Sequence, residues 1–431
     1  MPRTLAQWLA YQEGIHPRSI ELGLDRVRAV WQRMGAPAPA RRVITVGGTN
    51  GKGSTVALLE AMLRAAGQRV GCYTSPHLLR YNERVRIDGQ EAADDALVAA
   101  FERIEAARGA GAGDPIALTY FEYGTLAALD LFARAQLDVA VLEVGLGGRL
   151  DAVNIVDADA VVITTIDLDH MDWLGNDRDS IGREKAGIAR PARPAVIGEL
   201  DPPTGLLDAL ATRGADVQRA GHDFGVQRQA HGWRWWHRDG STFELPDPAL
   251  AAPVQYANAA AAIAALHALV VAGRWTAPIG LDAAAAKGLR TVQVPARLQT
   301  LGGDPLLMVD VGHNPQAARA LAQWLEGSKF ARVHAVYGAL ADKDVAGVLA
   351  ALGPHVHQWH LAGLDRDSPR GLAIEALTAT LRETLSAAAF DAHRSVAAAL
   401  AAARDQARAG ECILAFGSFF VASAVLAAAR E

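Results

Sequence analysis

Residues 43–55 read VITVGGTNGKGST: a β-branched run, a turn holding four glycines and a lysine, then two hydroxyl residues that open a helical pattern over 54–66. Glycines let backbone N–H groups approach phosphate oxygens, and a helix N-terminus adds a favourable partial charge. Lys52 is placed to reach β- and γ-phosphates, while Ser54 or Thr55 offers a hydroxyl to phosphate or Mg²⁺. The strict G-x-x-x-x-G-K-[ST] spacing is not met. Gly47 stands one residue too close to Gly51, and Gly53 intervenes between Lys52 and Ser54. That variant form points away from ordinary kinases and GTPases. A glycine-rich turn that binds nothing is the alternative, and the ordered strand, lysine and helix weigh against it.

Carboxylates follow at two further strand ends. LEVGLGGRLD (142–151) puts Glu143 at the C-terminal end of an expected strand, the edge where ligands of open α/β sheets collect. A carboxylate there can hold Mg²⁺ opposite a phosphate loop, or it can be a solvated cap. The glycines behind it imply a close backbone approach. The next strand ends in TTIDLDHMD (164–172), where His170 is the only imidazole among Asp167, Asp169 and Asp172. A lone histidine is more often structural than a ligand, but sharing a sheet edge with Glu143 and the glycine loop favours the ligand. The three aspartates stay ambiguous between support and surface. REKAGI (183–188) reads by itself as a solvated helix face with locally paired charges, and nothing in that pattern raises Lys185 above its neighbours. His313, in the turn GHNP (312–315), suits a phosphate or substrate contact and a structural turn equally well. Asp342, Lys343 and Ser418 are weaker candidates for the substrate side.

These residues need a scaffold, and the chain supplies alternating β-branched runs and Ala/Leu-rich helical patterns from end to end. Strand-like runs fall at 43–46, 139–142, 161–164 and 195–197, with helical stretches between them; such alternation argues for βαβ units on a mainly parallel sheet. Composition shifts over 275–303, and a fresh strand at 306–311 opens a second αβ series. The expected fold is α/β: a P-loop ATPase-like, mainly parallel sheet domain over 1–295, then a smaller Rossmann-like αβ domain over 296–431. Residues 231–245 alternate like a hairpin on the first domain, its tryptophans being packing residues rather than a base-stacking platform.

Bulk properties narrow the classes. Of 431 residues, 51% are apolar and 21% charged, which is globular composition, and a net charge of −5 gives no basic footprint for nucleic acid. The two cysteines, Cys72 and Cys412, sit in or beside apolar runs and read as buried thiols of a reducing compartment. The N-terminus lacks the order of a signal peptide. The Ala-rich stretch 259–272, broken by His267, falls short of the roughly 18 apolar residues a membrane span needs. A soluble, cytoplasmic monomer is expected.

Taken together, several segments resemble the dihydrofolate synthase/folylpolyglutamate synthase family within the Mur ligase superfamily. They are GTNGKGST (48–55), TSPHL (74–78), residues 143–154, LDH (168–170), residues 183–188, 310–315, DKD (342–344) and GSF (417–419). The resemblance runs in order from residue 20 to 420. It implies that Gly51, Lys52, Gly53 and Ser54 cradle ATP, that Ser75, Glu143 and His170 ligate Mg²⁺ at two sites, and that Lys185 is carbamylated into a further metal ligand. It places Asn258, Arg297 and Asp310 on the nucleotide. Pterin contacts fall on Ile20-Glu21-Leu22, on Phe121, Glu122, Tyr123 and Gly124, and on Leu150-Asp151-Ala152. IELGLDRV (20–27) resembles bifunctional bacterial members, which accept dihydropteroate as well as folates. One departure stands out: PARLQ (295–299) has Ala296 where the family usually has glycine and Leu298 where an aromatic is common.

The chemistry implied is ATP-dependent ligation of L-glutamate to dihydropteroate and folates. Because a carboxylate is a poor acyl donor, it first becomes an acyl phosphate, which the glutamate amine attacks. Lys52, Lys185 and His313 are the residues expected to serve that reaction. A Mur-type ligase acting on a UDP-linked cell-wall precursor would need an N-terminal uridine-nucleotide domain, and the loop begins at residue 47. A non-catalytic nucleotide-binding module would leave the carboxylate–histidine set unexplained.

Overall fold

The computed structural model describes residues 3–16, 20–111 and 113–430. The apolar run at 43–46 extends into β1 (Ala40–Gly47), whose last five residues are all buried. Continuous burial is what a central parallel strand covered on both faces requires. The same holds for β5 (Leu137–Glu143) and for the short β2 (Val70–Tyr73), β6 (Ala160–Ile163) and β7 (Pro194–Ile197). With β3 (Val85–Ile87), β4 (Gln90–Glu91) and β8 (Asp216–Arg219) they form one eight-stranded sheet in the order β4-β3-β2-β5-β1-β6-β7-β8. Its six strands from β2 to β8 in that order run parallel, and β3 and β4 are antiparallel additions.

Register brings the strand ends level. Val46 pairs with Glu143, Gly47 with Ile163, and Tyr73 with Leu142. The segments leaving β2, β5, β1 and β6 therefore start side by side at one carboxyl edge. Helix Lys52–Ala65 takes the chain away from β1, and helix Tyr120–Ala135 delivers it to β5. The second helix begins in a reciprocal cap: Thr119 Oγ1 accepts from the Glu122 N–H, and the Glu122 carboxylate accepts from the Thr119 N–H.

A small antiparallel sheet, β11-β10-β9, joins β9 (Phe224–Arg228), β10 (Trp233–His237) and β11 (Thr242–Leu245). Trp233 and Trp235 alternate into the core, and Trp235 Nε1 donates to Ala260 O at 3.2 Å. The tryptophans are packing residues.

The C-terminal sheet has the order β12-β13-β17-β14-β15-β16. Its strands are β12 (Gln299–Gly302), β13 (Leu306–Val309), β14 (Val333–Tyr337), β15 (Gln358–Ala362), β16 (Phe390–His393) and β17 (Cys412–Phe416). Only the β12–β13 pairing is antiparallel. The chain divides into two compact units: residues 1–249 with 256–292, and residues 250–255 with 293–431. The sequence-based boundary at 295 assigned 250–255 to the first unit. Ala252 instead packs in the second unit's core with Leu298 and Met308, a contact that no local change of composition marks. Cys72 and Cys412 are buried free thiols. Among the described residues no helix is long and apolar enough to cross a membrane.

Candidate active site

The loop after β1 owes its path to two glycines. Gly48 has φ 145°, and a Cβ there would fall 1.8 Å from Thr164 Oγ1; Gly51 has φ 84°, and a Cβ there would meet Asn258 Oδ1 at 2.6 Å. Side chains are excluded at both positions, by conformation and by space. The segment leaving β6 holds this loop in place. Thr164 Oγ1 donates to Asn50 O at 2.6 Å, the Thr49 N–H donates to Thr165 O at 2.7 Å, and the Asn50 N–H donates to Thr165 Oγ1 at 3.0 Å. Thr49 Oγ1 in turn accepts from the Asp167 N–H at 3.1 Å. Helix Lys52–Ala65 starts from Gly51 with no side-chain cap, so its first-turn N–H groups face the loop as anion donors. The Thr55 hydroxyl is committed to Gly51 O at 2.9 Å, and Ser54 is buried in the same first turn.

Two amines meet on one carbonyl. Lys52 Nζ donates to Gly48 O at 3.0 Å and Thr49 O at 3.1 Å, and Lys185 Nζ donates to Gly48 O at 3.1 Å. Lys185 is only 4% exposed. Burial, then the Lys52 charge, push its pKa down to about 7, with Asp169 and Asp151 partly opposing. The solvated helix face expected for 183–188 thus holds for Glu184, which pairs with Arg149 at 2.9 Å, and fails for Lys185. The helix turns that residue inward, and only burial distinguishes it from its neighbours.

Carboxylates stand at the same edge. Glu143 ends β5 at 4% exposure and accepts from the Ser75 N–H at 3.2 Å. Asp151 accepts from the N–H groups of Leu146 at 2.9 Å and Val153 at 3.0 Å; burial nonetheless pushes its carboxyl up to about 6. His170 sits in the left-handed region at φ 52° and heads helix Met171–Leu174, with its N–H on Asp169 Oδ1 at 2.9 Å. Gly51, Lys52, Gly53, Ser54, Ser75, Glu143 and His170 all lie at or just beyond the carboxyl ends of β2, β5, β1 and β6. Asn258 and Lys185 reach the glycine loop from helices Gln255–Val271 and Arg178–Ala186.

The three segments assigned to a pterin also converge. Arg26 donates to Glu21 Oε1 at 2.7 Å, to Glu21 O at 3.0 Å and to Glu122 Oε1 at 3.1 Å. The Gly23 N–H donates to Leu150 O at 3.3 Å, and the Phe121 ring packs against Gly145, so close that a Cβ would lie 2.6 Å away. Ile20 and Leu22 flank Glu21; Asp151 caps the short helix Ala152–Ile155. Tyr123 is fully buried and hydrogen-bonded to Glu105, and Gly124 packs beside Tyr81 and Tyr73. No local pattern points to a role for Arg26, since its partner Glu122 is 96 residues away.

In the second unit, Asp310 accepts from the Leu298 N–H at 2.7 Å and the Gly312 N–H at 2.6 Å; burial raises its pKa and Arg297 opposes the rise. The Arg297 guanidinium lies 5.7 Å from the Phe419 ring centroid, and the His313 ring lies 6.4 Å from it. His313 Nδ1 is 2.9 Å from Val311 O, to which it donates. Ser418 Oγ caps helix Phe419–Ala428 by accepting from the Val421 N–H at 3.1 Å. Arg297, Asp310, His313 and Ser418 thus form one group at the carboxyl ends of β13 and β17. Asp342 instead pairs with Arg370 at 2.6 Å, with Lys343 Nζ 3.9 Å away.

The family model of the Mur ligase middle domain matches residues 46–266, and that of the Mur ligase glutamate ligase domain matches 296–419. The dihydrofolate synthase/folylpolyglutamate synthase of Escherichia coli (strain K12) is 47% identical over 426 residues, 98% of this chain and 94% of its own. The solved structure of the E. coli protein in complex with DHPP and ADP aligns with TM-score 0.91 at 46% identity, covering 99% of this chain and 98% of that one. A bifunctional folylpolyglutamate synthase/dihydrofolate synthase with Mn, AMPPNP and L-glutamate bound aligns with TM-score 0.89 at 45% identity, covering 100% and 98%.

The amine of Lys185 makes a pH prediction. Its folded pKa of about 7 lies below the 10.5 of an exposed lysine, so the unfolded chain binds this proton more readily. Stability should therefore fall as pH drops from 10.5 toward 7 and stay flat below that. Lys185→Met should lack this component when both proteins are unfolded by denaturant in CO₂-depleted buffer. A difference between them that does not vary with pH would mean the amine titrates normally.

Proposed function

The chain belongs to the dihydrofolate synthase/folylpolyglutamate synthase family of Mur ligases, and on that premise we propose that the Gly48 loop, Lys52, Lys185 and Glu143 form its ligation centre. The protein is an ATP- and divalent-metal-dependent ligase that joins L-glutamate to pterin carboxylates in folate metabolism. The observation that carries the assignment is the meeting of Lys52 and Lys185 on Gly48 O, one strand away from the buried Glu143.

The residues fit a nucleotide with divalent cations. Gly51, Gly53 and the uncapped helix start offer N–H donors to phosphate, Ser54 a hydroxyl, and Asn258 an amide beside Gly51. The Ser75 hydroxyl, Glu143 and His170 would hold two Mg²⁺ ions, joined by Lys185 once it carries a carboxylate. Bound there, the cations neutralise charge on the transferring phosphoryl group. Lys52 holds the transferring phosphate in line and keeps a positive charge where negative charge grows.

Carbamylation of Lys185 follows from its setting. The ammonium first loses a proton to solvent; the neutral amine then attacks the carbon of CO₂, a second N–H proton leaves to solvent, and a carboxylate remains on the nitrogen. From ammonium to carbamate the charge changes from positive to negative, so repulsion from Lys52 becomes attraction and the site gains an oxygen ligand.

The pterin acceptor is assigned to the surface built from residues 20–22, Phe121, Glu122, Tyr123, Gly124 and 150–152, with Arg26 holding two of those segments together. Arg297 and Asp310 are assigned to the nucleotide, and His313 and Ser418 to the phosphate and glutamate. A cytoplasmic monomer suits the two buried free thiols.

Lys52→Ala should abolish phosphate release with ATP, glutamate and dihydropteroate while leaving circular dichroism unchanged; near-normal turnover would reject the phosphate-loop assignment. Lys185→Ala should lose activity and recover part of it with added short carboxylates, and full activity in that variant would reject the carbamate. Arg26→Ala should raise KM for the pterin acceptor by about tenfold or more, the loss of roughly 1.4 kcal/mol of binding, with KM for ATP unaltered. An equal change in both would show that Arg26 supports the whole fold rather than the acceptor surface.

A further inference from the structure

A second constellation of ligand-bearing side chains lies in the C-terminal unit, among residues that the ligation chemistry does not use. Parallel pairing sets His334 beside Gln358, His360 beside Asp391, and Ala362 beside His393. Partners in a parallel sheet share a face and side chains alternate along each strand, so His334, His360, Asp391 and His393 form a polar stripe on one face. A stripe of this kind is unexpected in an otherwise apolar interior. Helix Val396–Gln406 packs on β14, β15 and β16, and its Gln406 reaches the Asp391 carboxylate at 2.8 Å while Gln358 reaches it at 3.1 Å.

Hydrogen bonds fix which nitrogen of His360 is bare. Glu411 accepts from the Arg408 N–H at 2.9 Å and from His334 Nε2 at 3.0 Å, and both hold its carboxylate below the usual range. An ionised Glu411 requires a proton on His334 Nε2. A neutral imidazole protonated at Nε2 accepts at Nδ1, which for His334 makes His360 Nε2 the donor of the 3.2 Å contact between them. The proton of His360 is thereby fixed on Nε2, and Nδ1 is left with its lone pair. His360 is 0% exposed, and its Nδ1 has no hydrogen-bond partner; neither has the buried Nε2 of His393. Asp391 Oδ2 lies 4.0 Å from His360 Nδ1, and one ligand atom from each of His360, Asp391 and His393 lies within 4.8 Å of the others.

We propose that His360, Asp391 and His393 bind a zinc ion that clasps β16, the outermost strand of the C-terminal sheet, to β15. Two imidazole nitrogens and one carboxylate oxygen are a donor set that suits Zn²⁺ rather than Mg²⁺. Tetrahedral zinc bonds of about 2.0–2.2 Å set ligand atoms roughly 3.4 Å apart, so the 4.0 Å between His360 Nδ1 and Asp391 Oδ2 and the 4.8 Å span of the trio must close by about 0.6 to 1.4 Å, through side-chain rotation of the partly exposed Asp391 and His393. The Glu411–His334–His360 chain is the arrangement that orients a metal-binding imidazole and strengthens its basicity. A second trio, His237, Asp239 and His267 in the N-terminal unit, is a weaker candidate. There the carboxylate is bound by one of its own imidazoles, His237 Nδ1 at 2.9 Å, whereas the donors on Asp391 are the amides of Gln358 and Gln406.

The full-length protein, stripped with a chelator and returned to millimolar Mg²⁺ to fill oxygen-rich sites, is dialysed against Zn²⁺ and its metal content measured. The parent should retain one equivalent, and Co²⁺ in its place should give the intense visible absorption of a four-coordinate ion. His393→Ala and Asp391→Asn should each lose that equivalent and that absorption while keeping normal glutamate ligation. Glu411→Gln should bind zinc about 10–100-fold more weakly. Zinc should raise the thermal unfolding midpoint of the parent and not that of His393→Ala. The proposal fails if the parent retains no zinc, if His393→Ala keeps the equivalent, or if the equivalent disappears in His267→Ala instead.

Discussion

Gly48 O is the atom on which the N-terminal site turns, because it receives hydrogen bonds from two lysine amines in a place largely closed to water. A carbonyl is a weak partner for two cations, and a buried ammonium near another ammonium is unfavourable on both counts. The arrangement therefore demands compensation from an anion. Lys185 meets part of the demand by giving up its proton near neutral pH. In the proposed function, a triphosphate beside Lys52 and a carboxylate built on Lys185 would meet the rest. The apparent flaw in the electrostatics is the physical ground on which both are proposed.

That flaw is stable only because the surrounding backbone is rigid. The loop hangs on Thr164 and Thr165, which follow β6, and its glycines are wedged against Thr164 and Asn258. The sheet order places β5 on one side of β1 and β6 on the other; the chain leaves β1 toward β2 and leaves β6 toward β7, so connections diverge between β1 and β6. A crevice opens at such a reversal in parallel sheets. Glu143 stands on one wall and the Thr164 segment on the other, with the loop as the floor between them.

Local pattern explains how much of this could be read before the fold was known. The glycine loop, Glu143 and the 164–172 segment are contiguous in sequence and carry their chemistry in short spacing, so strand periodicity alone put them at one sheet edge. Lys185 could not be found in that way. Its neighbours Arg183 and Glu184 give the helix a solvated appearance, and its burial depends on packing against a loop some 35 residues earlier, where Arg149 meets Glu184. Arg26 and the excursion of 250–255 were invisible for the same reason: their partners, Glu122 and Leu298, are distant in the chain. The His334–His360–His393 stripe is scattered over 60 residues of three strands and has no motif spacing, so only the register of a parallel sheet brings it together.

The turn at 296–298 shows how the second unit holds a functional side chain at a conformational cost. Ala296 and Leu298 both sit in the left-handed region, at φ 51° and 47°, where a residue with a Cβ is disfavoured by roughly 1–2 kcal/mol. A glycine, usual in the family at position 296, would avoid that cost there. This chain keeps the geometry with Asp310, whose two carboxylate oxygens take the N–H groups of Leu298 and Gly312 at 2.7 and 2.6 Å. Short hydrogen bonds to a carboxylate are among the stronger ones proteins make, and two of them offset the strain. Arg297 lies between the strained residues, and the turn directs its guanidinium toward Phe419 and the helix that Ser418 caps. Besides its proposed place at the nucleotide, Asp310 thus fixes the backbone that aims Arg297, and the alanine at 296 is tolerated because that clamp is in place.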